Sequence, residues 1–407
     1  MKNKNAGSKP ALGIIFLVVC IDLIGFGIVL PLLPLYAKYY GASSFLIGLL
    51  AISYSVGQLV FNPIWGSLSD RFGRRPILLM SLTGASLFYT LFGWAPTLTW
   101  LFIARIGAGI FAGNISAAMA YIADITTREE RTRGMGMIGA AFAIGFIIGP
   151  AIGGVLGRYS YALPSYGAAG LSCLALVLAI AKLPESLKVK KSSVVNWSNL
   201  VKPIQRNLRK MAVARPMLVY FLVVLAFSCM QITFPLFTLE VFGFGVMENG
   251  YLFAYVGVMA VLFQGGLIGK LARLFGEGPL ALFGTALSLL GLSLLPLASS
   301  LKGLLILLTV LGIGTGLNNP TLTSLISLAA DESEQGAVLG ASRSLNTFAR
   351  ILGPLWGGWS YGALGMKWTY WSAGIFLFAA ILIGLPLLRL RPAYHGKKGG
   401  KAETAAN

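Results

Sequence analysis

The chain has 407 residues, 56% of them hydrophobic and only 11% charged, against roughly a quarter charged in soluble domains, which excludes an ordinary soluble globule. Its net charge of +19 invites a nucleic-acid reading, but the basic residues punctuate apolar runs instead of lining one face, so nucleic acid is not an expected partner. The only histidine is His395, in the C-terminal tail, which excludes a Ser–His–Asp triad and a His-based metal site or proton relay, so neither an enzyme, a metal nor a cofactor is expected.

Runs long enough to cross a bilayer core, about 20 apolar residues each, recur along the chain. The first, 11–36, holds Asp22 at its middle; it is too long for a cleaved signal, and it lacks a clear small-residue cleavage site. Runs 45–68 and 75–94 are joined by GSLSDRFGRRP (66–76), where Asp70, Arg71, Arg74 and Arg75 gather around a tight turn at Gly73. An acid there suits the positive N-terminal end of a neighbouring helix, worth up to about 1 kcal/mol. Run 98–123 carries Arg105 and Asn114, run 135–157 carries GFIIGPAIGG (145–154), and run 163–182 closes a first set of six.

A polar stretch at 183–215 follows, too charged to span. Val194, Trp197, Val201, Ile204 and Leu208 recur at helical spacing in it, which fits either a helix lying on the membrane surface or a solvated linker. Six more runs complete the chain: 216–241 with Gln231, 249–269, 278–298, 303–328, 336–361 with Arg343, Asn346 and Arg350, and 367–388. Lipid offers no partner to an unpaired backbone amide, and the runs lack the alternation of a barrel strand, so all twelve are read as helices. The fold expected is an all-α polytopic membrane protein of two pseudo-symmetric six-helix bundles. Residues 1–182 form the first, 183–215 a cytoplasmic linker, and 216–407 the second with a basic tail. Cys20, Cys173 and Cys229 fall inside helices, so no disulfide framework is expected.

With the N-terminus inside, 25 of the 32 Lys and Arg lie on the cytoplasmic side, in the tails, the linker and the 69–75, 125–134 and 270–273 loops. Both termini are therefore expected in the cytoplasm of a bacterial inner membrane, with anionic lipid as partner to the basic excess. The two halves echo each other. GFIIGPAIGG (145–154) aligns with ARILGPLWGG (349–358) at an offset of 204 residues, which also pairs Gly136 with Gly340. WGSLSDRFGRRPIL (65–78) sits beside IGKLARLFGEGPLA (268–281). Such similarity is expected of transporters whose halves rock around a shared site.

Few groups inside the membrane are charged. Of 13 Asp and Glu, ten fall in loops, tails or cytoplasmic helix ends, Glu240 and Glu248 lie near the outer edge, and Asp22 alone sits mid-helix. A carboxylate in that setting faces an internal cavity and either pairs with a cation or binds a proton. Arg343 and Arg350 lie seven apart on one helical face, and a guanidinium cannot shed its charge. Asp22 is the available partner for Arg350 across the halves; the other reading makes Arg350 and Arg343 substrate-binding groups for a carboxylate or phosphate. Gln58, Asn62, Asn114, Gln231, Gln264, Asn318, Asn319 and Asn346 add amides, of which Asn114, Gln231 and Asn346 are further substrate-binding candidates. Gly149, Pro150, Gly353 and Pro354 are candidates for hinge or seal positions, since Gly and Pro permit close packing and bending. GGLIGKLAR (265–273) lacks the spacing and the Ser or Thr of a phosphate loop, so an ion gradient, not ATP, is the expected energy source.

At these residues the chain resembles the major facilitator superfamily, in its 12-helix drug/proton antiporter branch that includes tetracycline exporters. GSLSDRFGRRP resembles the loop motif between helices 2 and 3, and LFIARIGAGIFAG (101–113) the helix-4 motif with a buried Arg. GFIIGPAIGG resembles the helix-5 motif associated with exporters, and DLIGFGIVLPLLP (22–34) the first helix of the branch. The resemblance implies that Arg105 couples protonation to conformational change alongside Asp22. It also implies that Asp70 meets helix 11 near Gln335 and Gly336, with Asp124 joining the arginines as a gate. Phe88, in LTGASLFY (82–89), stands where tetracycline exporters carry an acid, and the ninth run, 278–298, has no acidic residue, which points away from tetracycline itself. The function expected is proton antiport that exports small amphipathic molecules or drugs by alternating access, with the protein acting as a monomer. The alternative is a transporter of organic anions or a lipid-linked substrate recognised by Arg350.

Overall fold

The computed structural model describes residues 8–126, 128–187, 210–330 and 335–389. Most of the linker, including the stretch from Val194 to Leu208, and the tail with His395 lie outside the described residues. Those described are almost wholly helical and form twelve passes. Helix 1 runs Ser8–Val29 and resumes as Leu32–Tyr39; helix 2 is Ser44–Phe72 and helix 3 Arg74–Trp94. Helix 4 is split into Leu98–Ile110 and Asn114–Ile125; helix 5 is Arg128–Gly157 and helix 6 Ala162–Lys182. In the second half, helix 7 is Met211–Phe242, helix 8 Val246–Leu262 continuing to Phe275, and helix 9 Glu277–Leu294. Helix 10 is Leu301–Leu328, helix 11 Gln335–Ala363 and helix 12 Met366–Gly384.

Ten of these helices are long and apolar enough to cross a membrane. The two exceptions have local causes. Helix 8 is interrupted by a π-helical turn at Phe263–Leu267, and helix 11 carries Arg343 and Arg350 within its length.

Each bundle has its own apolar core. In the first half Ile15, Val19, Leu78, Tyr121 and Ala175 pack together, and in the second Phe234, Phe237, Leu308 and Tyr370 do so. The halves repeat one another in backbone detail. Gly73 between helices 2 and 3 (φ +120°) and Gly276 between helices 8 and 9 (φ +83°) both take a conformation that only glycine adopts without strain. These turns mark the basic end of the molecule.

Small residues let the helices touch backbone to backbone. A Cβ on Gly149 would lie 2.7 Å from Gly27 Cα of helix 1, and one on Gly353, its counterpart, 2.6 Å from Leu225 O of helix 7. The same motifs join the two bundles. A Cβ on Gly250 would lie 2.4 Å from Pro150 O, joining helices 8 and 5; one on Gly48 would lie 2.5 Å from Pro354 O, joining helices 2 and 11. Both seams belong to the end opposite the basic turns. There Lys38 also meets Glu240 at 3.5 Å, and Tyr361 donates to Glu240 at 2.9 Å. The bundles are thus closed together at the far end.

Candidate functional site

A cavity lies between the bundles with about 1130 Å³ of empty space, its open mouth included. Asp22, Gln58, Arg105, Asn114, Gln231, Arg350 and Pro354 all line it, so seven residues named from the sequence meet there.

The break in helix 4 explains part of this convergence. Helix 4 stops after Ile110 and restarts at Asn114, freeing carbonyls that lipid cannot satisfy. Trp65 Nε1 donates to Ile110 O (2.5 Å), and Ser81 Oγ donates to Phe111 O. Gly113 keeps the approach open, since a Cβ there would sit 2.6 Å from the Trp65 ring. The restart places Asn114 at the first position of the new helix, where its amide donates to Asp22 Oδ2. Ser172 Oγ of helix 6 lies 3.5 Å from Asp22 Oδ1. Asp22 is only 7% exposed, and both of its oxygens face neutral donors.

This corrects one expectation. Asp22 and Arg350 line the same cavity but form no ion pair; the ion pairs among the described residues are Lys38–Glu240, Arg74–Asp70 and Arg74–Asp124. A carboxylate needs donors, not necessarily charges, and Asn114 and Ser172 supply them. Arg350 is left exposed towards the cavity.

Arg105 is 6% exposed, and its Nε has no hydrogen-bond partner. Its guanidinium lies over the Tyr54 ring, 4.6 Å from the centroid. Tyr54 is held there because helices 2 and 4 touch. A Cβ on Gly109 would lie 2.4 Å from Tyr54 O, and one on Gly57 would lie 3.0 Å from Gly109 C. Phe26 packs on Tyr54 (5.4 Å between centroids) and Phe146 on Phe26 (6.3 Å). Tyr54, Tyr89, Phe26 and Phe142 line the cavity, and sequence reasoning did not single them out. A signal existed for Tyr54: it shares a helical face with Gln58, four residues on, within an otherwise apolar run. Phe88 is tucked against Gly107 and stacks near Phe111 (5.7 Å), behind the cavity wall.

Other candidates fall elsewhere. Arg343 is exposed, and its Nη1 reaches Met119 Sδ across the halves at 2.9 Å. Asn346 does not line the cavity, and its buried Oδ1 has no partner. Gly149, Pro150, Gly353 and Pro354 occupy the helix seams described above.

At the basic end the expected charge cluster divides. Arg74 pairs with Asp70 (2.5 Å) and Asp124 (2.9 Å) and donates to Ser69 Oγ (3.1 Å). Arg71 turns away, over the Phe72 ring at 5.3 Å. Arg75 reaches Ile180 O (2.8 Å). The acid on the N-terminus of helix 3 is neither aspartate but Glu185, which accepts from Arg74 N (2.9 Å) and Arg75 N (3.1 Å). Its Oε2 lies 2.4 Å from where a Gly73 Cβ would stand, so the glycine makes room for the cap. Among the described residues Asp70 pairs with Arg74, and Gln335 donates to Ser327 O (3.4 Å).

Comparison with known proteins agrees with this architecture. A family model described as Major Facilitator Superfamily matches residues 15–277 and 265–407, two overlapping matches that together cover nearly the whole chain. The class C tetracycline resistance protein of Escherichia coli is 33% identical over 393 residues, covering 94% of this chain and 97% of that protein. The class H tetracycline resistance protein of Pasteurella multocida is 32% identical over 381 residues, covering 92% and 94%. Multidrug resistance protein 2 of Bacillus subtilis (strain 168) is 28% identical over 390 residues, covering 94% and 96%. Among solved structures, the nucleoside transporter NupG superposes with a TM-score of 0.76 at 13% identity, covering 93% of this chain and 99% of that one. The human organic anion transporter MFSD10 gives 0.71 at 24%, covering 93% and 100%. At these identities the two structures speak to the fold alone.

Proposed function

This chain belongs to the Major Facilitator Superfamily, and from that premise we propose that it exports small amphipathic molecules, drugs among them, in exchange for protons. The observation that carries the reading is the cavity between two bundles closed together at one end, with Asp22 the single carboxylate among the described residues of its wall. Relatives named for tetracycline and multidrug resistance match it along nearly its whole length, which supports export as the direction. The positive-inside rule assigns the basic end to the cytoplasm and places both termini there. The conformation is then one sealed outside and open inside, ready to take substrate from the cytoplasm or the inner leaflet of a bacterial inner membrane.

In the cycle we propose, Asp22 holds either a proton or the donors of a bound molecule. Arg105, kept in the wall by Tyr54, senses which. Arg74, Asp70 and Asp124 close the inner end against helix 11 when the outer seams part, an exchange of two states biased by ligand and proton. Pro150 and Pro354 provide the outer seal, opposite Gly250 and Gly48, while Gly149 and Gly353 hold each helix against its own bundle. The protein works as a monomer in contact with membrane lipid, without a cofactor.

The test is reconstitution into sealed vesicles with an imposed proton gradient and a panel of cationic, neutral and anionic compounds, with Asp22→Asn in parallel. Substrates that dissipate the gradient in the wild type but not in Asp22→Asn support antiport with its proton on Asp22. Substrate flux without proton movement, or an unaffected Asp22→Asn, would overturn the coupling.

A further inference from the structure

The break in helix 4 does more than bring Asn114 to the cavity. In an unbroken helix the Ile110 carbonyl would accept from the Asn114 N–H, and the Phe111 carbonyl from the Ile115 N–H. Here Trp65 Nε1 and Ser81 Oγ donate to those two carbonyls. The Ile115 N–H is thereby released, and it donates to Asn114 Oδ1 at 2.8 Å. That bond fixes the sense of the amide, because a carboxamide whose oxygen is held by a donor has its NH2 left to present. Asn114 therefore meets Asp22 Oδ2 as a donor.

The two oxygens of Asp22 are then unlike. Oδ2 faces an N–H, which bonds best to an ionised oxygen and opposes a hydroxyl. Oδ1 faces Ser172 Oγ at 3.5 Å, and a hydroxyl can donate to an ionised oxygen or turn to accept from a protonated one. The other titratable or charged groups around this carboxylate share the cavity wall: Tyr54 on helix 2, Tyr89 on helix 3, Arg105 on helix 4 and Arg350 on helix 11. The described residues that helices 5 and 7 add to the wall are neutral, and helix 6 supplies Ser172.

Building on the reading that Asp22 carries the proton, we propose that the helix-4 break, braced by Trp65 and Ser81, reserves Asp22 Oδ2 for Asn114 and assigns the exchangeable proton to Oδ1, against Ser172. On protonation Ser172 turns from donor to acceptor, while the bond from Asn114 to Oδ2 persists. Trp65 and Ser81 are buried and do not line the cavity, so they act on the carboxylate through Asn114, as positioning residues.

The test is an infrared pH titration of the full-length protein in lipid, without substrate, following the carboxyl C=O stretch that Asp22→Asn removes. Asn114→Ala withdraws a donor that favours the ionised form. The midpoint should rise by about one pH unit, the excess of a hydrogen bond to a charged oxygen over one to a neutral oxygen. Ser172→Ala takes a partner from both forms and should move the midpoint much less. Ser81→Ala and Trp65→Phe should raise it as Asn114→Ala does, and should add nothing in the Asn114→Ala background. Ser81→Ala decides this arm alone where Trp65→Phe does not fold. An unmoved or lowered midpoint in Asn114→Ala overturns the assignment, as does a larger shift in Ser172→Ala. No shift in Ser81→Ala, or one that adds in full to that of Asn114→Ala, overturns the role of the braces. Midpoints that move as expected, beside vesicles that show no proton exchange, defeat the antiport reading and leave the assignment standing. Proton exchange in vesicles with the midpoint unmoved in Asn114→Ala defeats the assignment alone.

Discussion

Replacing Gly250 by alanine tests whether the far-end seams hold the observed conformation. The added Cβ would lie 2.4 Å from Pro150 O and 2.7 Å from Gly154 Cα, both backbone atoms of helix 5. Ordinary contact begins at 3.4 Å, so helices 8 and 5 must part by about 1 Å at a point where no flexible side chain can yield. Overpacking of this kind costs about 1–3 kcal/mol. If the seam is closed in one state and open in the other, the whole penalty falls on the closed state. The ratio of far-end-closed to far-end-open molecules then drops by roughly 5- to 150-fold. Gly48→Ala should act alike at the symmetric seam, where its Cβ would meet Pro354 O at 2.5 Å. Gly149→Ala is the control, because its Cβ would meet Gly27 within one bundle and should lower stability without shifting the equilibrium. The assay is a double electron–electron resonance distance between spin labels at Tyr39→Cys and Val241→Cys, both exposed, with Cys20, Cys173 and Cys229 replaced. Gly250→Ala and Gly48→Ala should lengthen the principal distance. Folded variants with an unchanged distance distribution would refute the idea that these glycines seal the far end.

Three further outcomes follow from the same geometry. Glu240→Gln breaks the Lys38–Glu240 pair, but both side chains are more than 40% exposed, so the contribution of the pair is about 0–1 kcal/mol. The same resonance measurement should therefore show at most about a fivefold shift, smaller than that of Gly250→Ala. Glu185→Ala removes the acceptor of two backbone N–H groups at the start of helix 3 and should lower stability by about 0.5–2 kcal/mol in thermal unfolding; an unchanged melting temperature would show the cap to be idle. Tyr54→Leu should cut turnover by up to about thirtyfold through loss of the ring beneath Arg105, while Tyr54→Phe keeps it. Equal loss in both variants would assign the effect to the hydroxyl instead.

The fold was legible because membrane helices announce themselves by length and apolarity, and because the repeat lies in glycines that must fit against backbone. The offset that pairs Gly149 with Gly353 in sequence pairs the same contacts in space, one with helix 1 and the other with helix 7. The interruption of helix 8 was hidden, since nothing in FQGGL distinguishes a π turn from a regular one. Glu185 was hidden for another reason. It caps Arg74 from 111 residues away, and a carboxylate just beyond a helix end reads as topology until its partner is known.

The site was legible in its charges and left open in their pairing. Elimination offered Asp22 as a partner for Arg350, because no other acid lay at that depth, beside the reading of Arg350 as a substrate-binding group, and the pairing option counted charges alone. Once Asn114 and Ser172 are counted as donors, Asp22 is satisfied within its own bundle, and the Arg350 charge is left facing the cavity. A buried acid held by a neutral amide and a hydroxyl can gain or lose a proton without breaking a bond between the bundles, whereas an Asp22–Arg350 pair would lock them together. Without that pair, a change of protonation at Asp22 breaks no ion pair between the bundles, which fits the proposed antiport cycle.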